Sequence, residues 1–207
     1  MEAKLKSCFD HARDASSYFA SVRDVMTAMV SRLDIAGVER LAQIIEEVRE
    51  AERMIYTLGN GGSAAVAAHF VNDMGVNSLV DGERGYRIVS LADNIPSITA
   101  VANDVSFDEI FSRQLRSNLT QGDLVIGLSA SGNSENVVRA LEYAHTRGAR
   151  TFAMSGFLGG RLREVAQDGI HIPSTFDEYG PVEDAFSVIL HMVSSWLTMK
   201  QGRALHH

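Results

Sequence analysis

The sequence has only one cysteine, Cys8, so it holds neither an internal disulfide framework nor a cysteine-built zinc site. It lacks any apolar run long enough to cross a bilayer. Its opening, "MEAKLKSCFDHARD", lacks the apolar core of a signal peptide, and a cytoplasmic protein is expected. There is no basic run either. The 19 Lys and Arg residues are scattered among 26 Asp and Glu residues, for a net charge of -7. That balance argues against broad nucleic-acid binding, and neither a direct nucleic-acid partner nor a membrane partner is expected. What is present is 207 residues with 45% hydrophobic content, which suits one folded domain of residues 1–207 with a helical extension.

Residues 4 to 50 read as helix. In "VRDVMTAMVSRL" the apolar side chains Val22, Val25, Met26, Met29, Val30 and Leu33 recur at helical spacing, and in "GVERLAQIIEEVREA" so do Leu41, Ile44, Ile45 and Val48. Neither segment contains proline. Such stripes need a partner surface, either the rest of the chain or another copy, and the first 50 residues are expected to serve oligomer packing. From Arg53 the pattern changes. Short apolar runs ("MIYTLG", "YRIVSLAD", "DLVIGLSAS", "ARTFAMSG", "DGIHIPS") alternate with helix-like stretches, and a long amphipathic helix, "VEDAFSVILHMVSSWLTMK", closes the chain. Five short strands alternating with helices predict an α/β fold, a three-layer αβα sandwich around a five-stranded parallel sheet.

Two glycine- and serine-rich elbows stand where strands lead into helices. In "LGNGGSAAV", Gly59, Gly61 and Gly62 permit close approach of a ligand, and Ser63 reads as an N-cap beside free helix-start amides. In "GLSASGNSENVV", Ser129, Ser131 and Ser134 surround Gly132 and Asn133, a donor-rich cup suited to a phosphate monoester. No lysine lies in this cup, which excludes the nucleotide P-loop, and "GNGGSA" lacks the G-x-G-x-x-G spacing of dinucleotide sites. Each elbow alone also reads as an ordinary capped turn. Their joint occurrence at strand-to-helix junctions favours an anion site.

Helical spacing also pairs side chains for proton chemistry. His69 and Asp73 are four residues apart and share a face, as do Asp184 and His191, seven apart in the last helix. Glu183 stands one residue off that face. By spacing alone these pairs are equally compatible with solvated surface pairs.

"GNGGSAAVAAHF", "SASGNSENV" and "ADNIPSITAVANDVSFDEIFSRQL" together resemble the sugar isomerase (SIS) domain family, and within it the phosphoheptose isomerases. The resemblance runs over nearly the whole chain. It implies a flavodoxin-like sandwich, a homotetramer with active sites between subunits, and interconversion of sedoheptulose 7-phosphate with an aldoheptose 7-phosphate, for nucleotide-activated heptose synthesis. Carried over, Ser129, Ser131 and Ser134 bind the phosphate. Asn60, Gly61 and Ser63 contact the sugar, and Asp104 binds its hydroxyls, although Asp104 also reads as a turn or N-cap aspartate. His69, Asp73, Glu183 and His191 fall on positions that bind zinc in the family. Asp73 and His191 fall on the acid–base positions, and Glu183 also contacts substrate.

The chain departs from the family pattern in three places. Asp73 replaces a glutamate, Glu183 replaces a glutamine, and Gly180 stands where an aspartate touches substrate. A side chain shorter by one methylene matters, because a shift of about 1 Å in a catalytic group costs about 100-fold in rate. Other readings remain: an isomerase of another sugar phosphate, a non-catalytic relative that binds the initiator DnaA, or a sugar-phosphate sensor. Retention of His69, an acid at 73 and His191 favours the enzyme. His11, His145 and His171 show no partner pattern and read as surface or structural, and His206 and His207 end the sequence. Met26, Met29, Met192 and Trp196 read as core or subunit interface. Glu109 and Glu135 read as helix-start charges.

Overall fold

The structure is a computed structural model describing residues 3–80, 82 and 84–202; His206 and His207 lie outside them. Three helices come first: α1 (Lys4–Asp10), α2 (Ala15–Val30) and α3 (Ile35–Glu50). The two expected helical segments are thus joined by a shorter one, and breaks fall before Asp14 and Asp34, the N-cap positions of α2 and α3. Asp14 accepts from the Ser17 amide at 2.8 Å while Ser17 Oγ accepts from the Asp14 amide at 3.1 Å, a reciprocal cap that starts α2.

After α3 come β1 (Met54–Leu58), α4 (Gly61–Asn72), a π-helical turn (Asp73–Asn77) and β2 (Arg87–Ser90). Then follow α5 (Ile95–Asp104), a 3-10 turn (Phe107–Glu109), α6 (Ile110–Asn118) and β3 (Leu124–Ser129). The chain ends with α7 (Glu135–Thr146), β4 (Arg150–Ser155), α8 (Gly160–Val165), β5 (Asp168–His171), a 3-10 turn (Phe176–Glu178) and α9 (Tyr179–Lys200). All strand pairings are parallel, in the order β2-β1-β3-β4-β5. All six residues of the central β3 are buried, because helices cover both faces of the sheet.

Two apolar clusters define the layers. Leu41, Ile45, Phe70, Leu128, Met154, Phe186 and Ile189 bury α3, α4 and α9 against one face. Tyr56, Ile110, Phe111, Leu115, Val137, Leu141 and Leu162 bury α6, α7 and α8 against the other, with α5 packed alongside. α3 is therefore part of the domain body, its Leu41 and Ile45 fully buried. α2 buries only Met29 and leaves Phe19 66% exposed. Trp196 is 60% exposed and so lies outside the core of a single chain. Among the described residues no helix is long and apolar enough to cross a membrane.

The strand order positions the site. The chain passes from β1 to β2 on one side and then crosses back to β3 on the other, so the crevice at the carboxyl ends of β1 and β3 is the topological switch point where ligands bind in open parallel sheets. Both elbows lie there: residues 59–63 follow β1, and residues 129–134 close β3 and lead into α7.

Candidate active site

The first elbow differs in detail from its sequence reading. Asn60, not Ser63, occupies the N-cap position of α4, with extended backbone at φ -114° and ψ 151°. Ser63 is thereby drawn into the first helical turn and buried, and its hydroxyl donates to Glu183 Oε1 at 3.0 Å. The Glu183 carboxylate, reaching over from α9, lies against the start of α4. A Cβ on Gly62 would fall 2.1 Å from its Oε2, so residue 62 must be glycine for the carboxylate to sit there. An acid at this point also complements the positive end of the α4 dipole.

Asn60 is likewise committed. Its side-chain amide exchanges two hydrogen bonds with Asn136 in the first turns of α7, both at 2.9 Å. This amide pair ties the first elbow to the second. Nothing in the sequence announced Asn136, because its partner is 76 residues away.

The second elbow is a cup of converging hydroxyls. Ser129 Oγ lies 3.1 Å from Ser134 Oγ and 3.4 Å from Ser131 Oγ. The amides of Gly132 and Asn133 donate to Ser129 Oγ and Ser131 Oγ at 3.1 and 3.2 Å. Ser134 is the N-cap residue of α7, so the open amides of that helix border the cup. Glu135 does not oppose an anion there. It is turned to Arg139 at 2.8 Å and to Arg161, and these bonds hold its carboxyl below the usual carboxylate range. Glu109 shares Arg139 at 3.0 Å and accepts from the Ser112 hydroxyl at 2.6 Å; that hydroxyl bond first, and its arginines next, lower its carboxyl as well.

Further along α4 and α9 a second cluster forms. Contacts pair Ser63 with Glu183 and His69 with His191, so the two helices run side by side in the same direction. Asp73 lies between the two imidazoles: Oδ1 is 3.6 Å from His69 Nε2 and Oδ2 is 3.5 Å from His191 Nε2. The rings meet edge to face with centroids 4.8 Å apart. Asp73 opens the π-helical turn, a local widening of the helix often found where a side chain is aimed at a site. Its carboxylate is 16% exposed, while the imidazoles are half exposed on the outer surface.

His69, Asp73 and His191 offer ligand atoms all within 4.8 Å of one another. Two imidazoles and one carboxylate suit zinc, and donors about 2.0–2.1 Å from a tetrahedral ion stand about 3.3 Å apart, close to the 3.6 and 3.5 Å between Asp73 and the two imidazoles. Three protein ligands leave a position for water or substrate, the pattern of catalytic rather than structural zinc. Glu183 is not in this group. It was expected as a fourth ligand, but its carboxylate is held by Ser63 at the other end of the helix pair. Ser63 and His69 are six residues apart on α4, about 9 Å along the axis.

Asp104 joins neither cluster within the chain. It ends α5, neither a turn nor an N-cap aspartate, and its exposed carboxylate accepts from Asn103 Nδ2 at 2.7 Å. α5 packs on α6 in the layer opposite α4 and α9, which separates Asp104 from the imidazoles.

The strand order, the paired elbows and the two-helix cluster define the class. The SIS domain model matches residues 17–156, and the chain belongs to the SIS domain family. Curated proteins similar to it include phosphoheptose isomerases. That of Citrifermentans bemidjiense is 36% identical over 170 residues, 82% of this chain and 86% of the relative. That of Geobacter sulfurreducens is 33% identical over 181 residues, 87% of this chain and 93% of the relative. The solved phosphoheptose isomerase GmhA from Neisseria gonorrhoeae superposes with a TM-score of 0.76 at 26% identity, covering 88% of this chain and 95% of that one.

Proposed function

We propose that this protein is a ketose–aldose isomerase of a seven-carbon sugar phosphate, converting sedoheptulose 7-phosphate to an aldoheptose 7-phosphate in the cytoplasm, as a homotetramer. The observation that carries the proposal is the Asp73 carboxylate set between two imidazoles in a chain with a serine cup at the switch point. The names of the relatives and the extent of the match support the same reading.

The phosphate binds in the cup of Ser129, Ser131 and Ser134, where hydroxyls and α7 amides replace its water shell. Asn60, Gly61 and Ser63 line the sugar, Glu183 accepts from its hydroxyls, and Asp104, set apart from the imidazoles within one chain, reaches the sugar in a neighbouring copy's site. Binding at the phosphate positions the reacting carbons at the other end. Asp73 removes the proton from the carbon next to the carbonyl, giving an enediol, and returns it to the neighbouring carbon. His191 passes the hydroxyl proton between the two oxygens, so no proton is gained or lost overall. His69, Asp73 and His191 are the residues that would hold a divalent ion, with zinc the fitting choice. Such an ion would supply a Lewis acid for the sugar oxygens. The half-exposed imidazoles, and exposed Phe19 on α2 and Trp196 on α9, support closure of the site by neighbouring copies, with α1 and α2, but not the buried α3, in the packing.

The test is incubation with sedoheptulose 7-phosphate in heavy water, with and without zinc, followed by NMR. Deuterium incorporation next to the carbonyl together with aldose formation is expected. Binding without exchange would favour a sensor, and no binding together with capture of DnaA would favour a regulator.

A further inference from the structure

The serine cup is braced from outside by a short loop whose own conformation is unusual. Phe157, two residues beyond β4, has φ +46°, a left-handed conformation that costs a non-glycine residue energy and persists only when its surroundings enforce it. Both of its backbone polar groups are held. Its amide donates to the buried Ser174 hydroxyl at 2.9 Å. Its carbonyl accepts from the Ser174 amide at 3.3 Å and from His171 Nε2 at 3.1 Å.

The imidazole is oriented in turn. Nδ1 faces Arg163 Nη1 at 3.4 Å. A carbonyl can only accept and a guanidinium can only donate, so the two partners together select the tautomer with its proton on Nε2. His171, read from sequence as lacking a partner pattern, is therefore bound on both nitrogens.

The loop so held presses on the cup. Gly132 and Gly159 meet back to back: a Cβ on Gly132 would fall 1.9 Å from the Gly159 carbonyl oxygen. The Leu162 amide donates to the Gly132 carbonyl at 2.8 Å, and the Arg161 amide donates to Asn133 Oδ1 at 3.1 Å. Gly132 and Asn133 are the residues whose amides set the Ser129 and Ser131 hydroxyls. An unbroken run of contacts thus leads from His171 and Ser174, through Phe157 and residues 159–162, to the cup.

We propose that His171 and Ser174 are positioning residues for phosphate recognition: by clamping Phe157 in its left-handed conformation they fix the loop that shapes the serine cup. This inference rests on the reading of the cup as the phosphate site. It assigns the two residues an effect on substrate binding and none on proton transfer, because neither lies in the Asp73–His191 cluster.

The test uses His171→Ala, His171→Gln and Ser174→Ala in the full chain. Loss of one such hydrogen bond should speed hydrogen exchange at the Gly132 and Asn133 amides about tenfold in His171→Ala. It should raise both the KM for sedoheptulose 7-phosphate and the inhibition constant of inorganic phosphate by about the same factor, with kcat within about twofold. His171→Gln, whose amide still donates to the Phe157 carbonyl, should recover most of the loss. Should His171→Ala fail to fold, Ser174→Ala carries the same measurements. Unchanged exchange and KM in a folded variant, a fall in kcat with KM constant, or no recovery in His171→Gln would each overturn the proposal. Absence of wild-type turnover would count against the isomerase reading, and exchange at Gly132 and Asn133 would still decide the clamp.

Discussion

Replacing Gly62 by alanine tests the seating of Glu183 against α4. An exposed helical glycine normally gains up to about 1 kcal/mol on becoming alanine. Here the new methyl would lie 2.1 Å from Glu183 Oε2 and 2.6 Å from its Cδ, far inside contact distance. The carboxylate must swing away, and its bond from the Ser63 hydroxyl at 3.0 Å is lost with it. Hydrogen bonds to charged groups contribute about 1.5–3 kcal/mol, so Gly62→Ala should destabilise by a net 0.5–2 kcal/mol, roughly. With Glu183→Ala already in place the three nearest obstructing atoms are gone, and the same change should be neutral or stabilising. A double-mutant cycle read by urea unfolding should therefore give a coupling of about 1.5–3 kcal/mol. If Gly62→Ala has the same effect in both backgrounds, to within about 0.5 kcal/mol, Glu183 is not seated at the helix start and the argument fails.

Asp73→Glu should not improve the enzyme, although it restores the residue of the family pattern. Asp73 already reaches to 3.5 and 3.6 Å from the two imidazoles, and a longer side chain has to displace them; kcat should fall about 100-fold, and an unchanged or higher kcat would show that the spacing is not set by aspartate. Tyr86 should titrate late: burial first, and Glu46 next, push its hydroxyl up to about 12 from an ordinary value of 10.0. The unfolded chain then loses this proton before the folded one does, so stability is intact below pH 10 and should fall by roughly 2–3 kcal/mol as pH rises toward 12. Tyrosinate absorbance and urea midpoints check this, and Tyr86→Phe should flatten the slope.

Much of the fold was legible because its signals are local. β1, β3 and β4 are largely buried runs of five or six residues, each closed by the glycine or serine that the sequence shows, while β2 and β5 are four residues long and only partly buried. α5 too carries a local start signal. Its signal is Asn94, whose side chain accepts from the Ser97 amide at 3.3 Å, followed by Pro96 in the first turn. In the candidate site, the four-residue spacing of His69 and Asp73 already put them on one face, and the hydroxyls of Ser129, Ser131 and Ser134 were close in sequence before they were close in space. Trp196 matched the helical period of α9 yet remains mostly exposed, since periodicity marks an apolar side chain without saying which surface covers it.

The amino-acid sequence alone determined the alternation of strands and helices, the two elbows and the shared helix face of His69 and Asp73, because these depend on residues a few positions apart. Tertiary structure decided the rest: that β1 and β3 lie side by side, that His191 comes to Asp73, that Glu183 turns to Ser63 and away from the imidazoles, and that Asn60 pairs with Asn136. Those contacts join residues from 69 to 120 positions apart, and their geometry follows from how strands pair and helices pack on a twisted sheet, which no local spacing encodes.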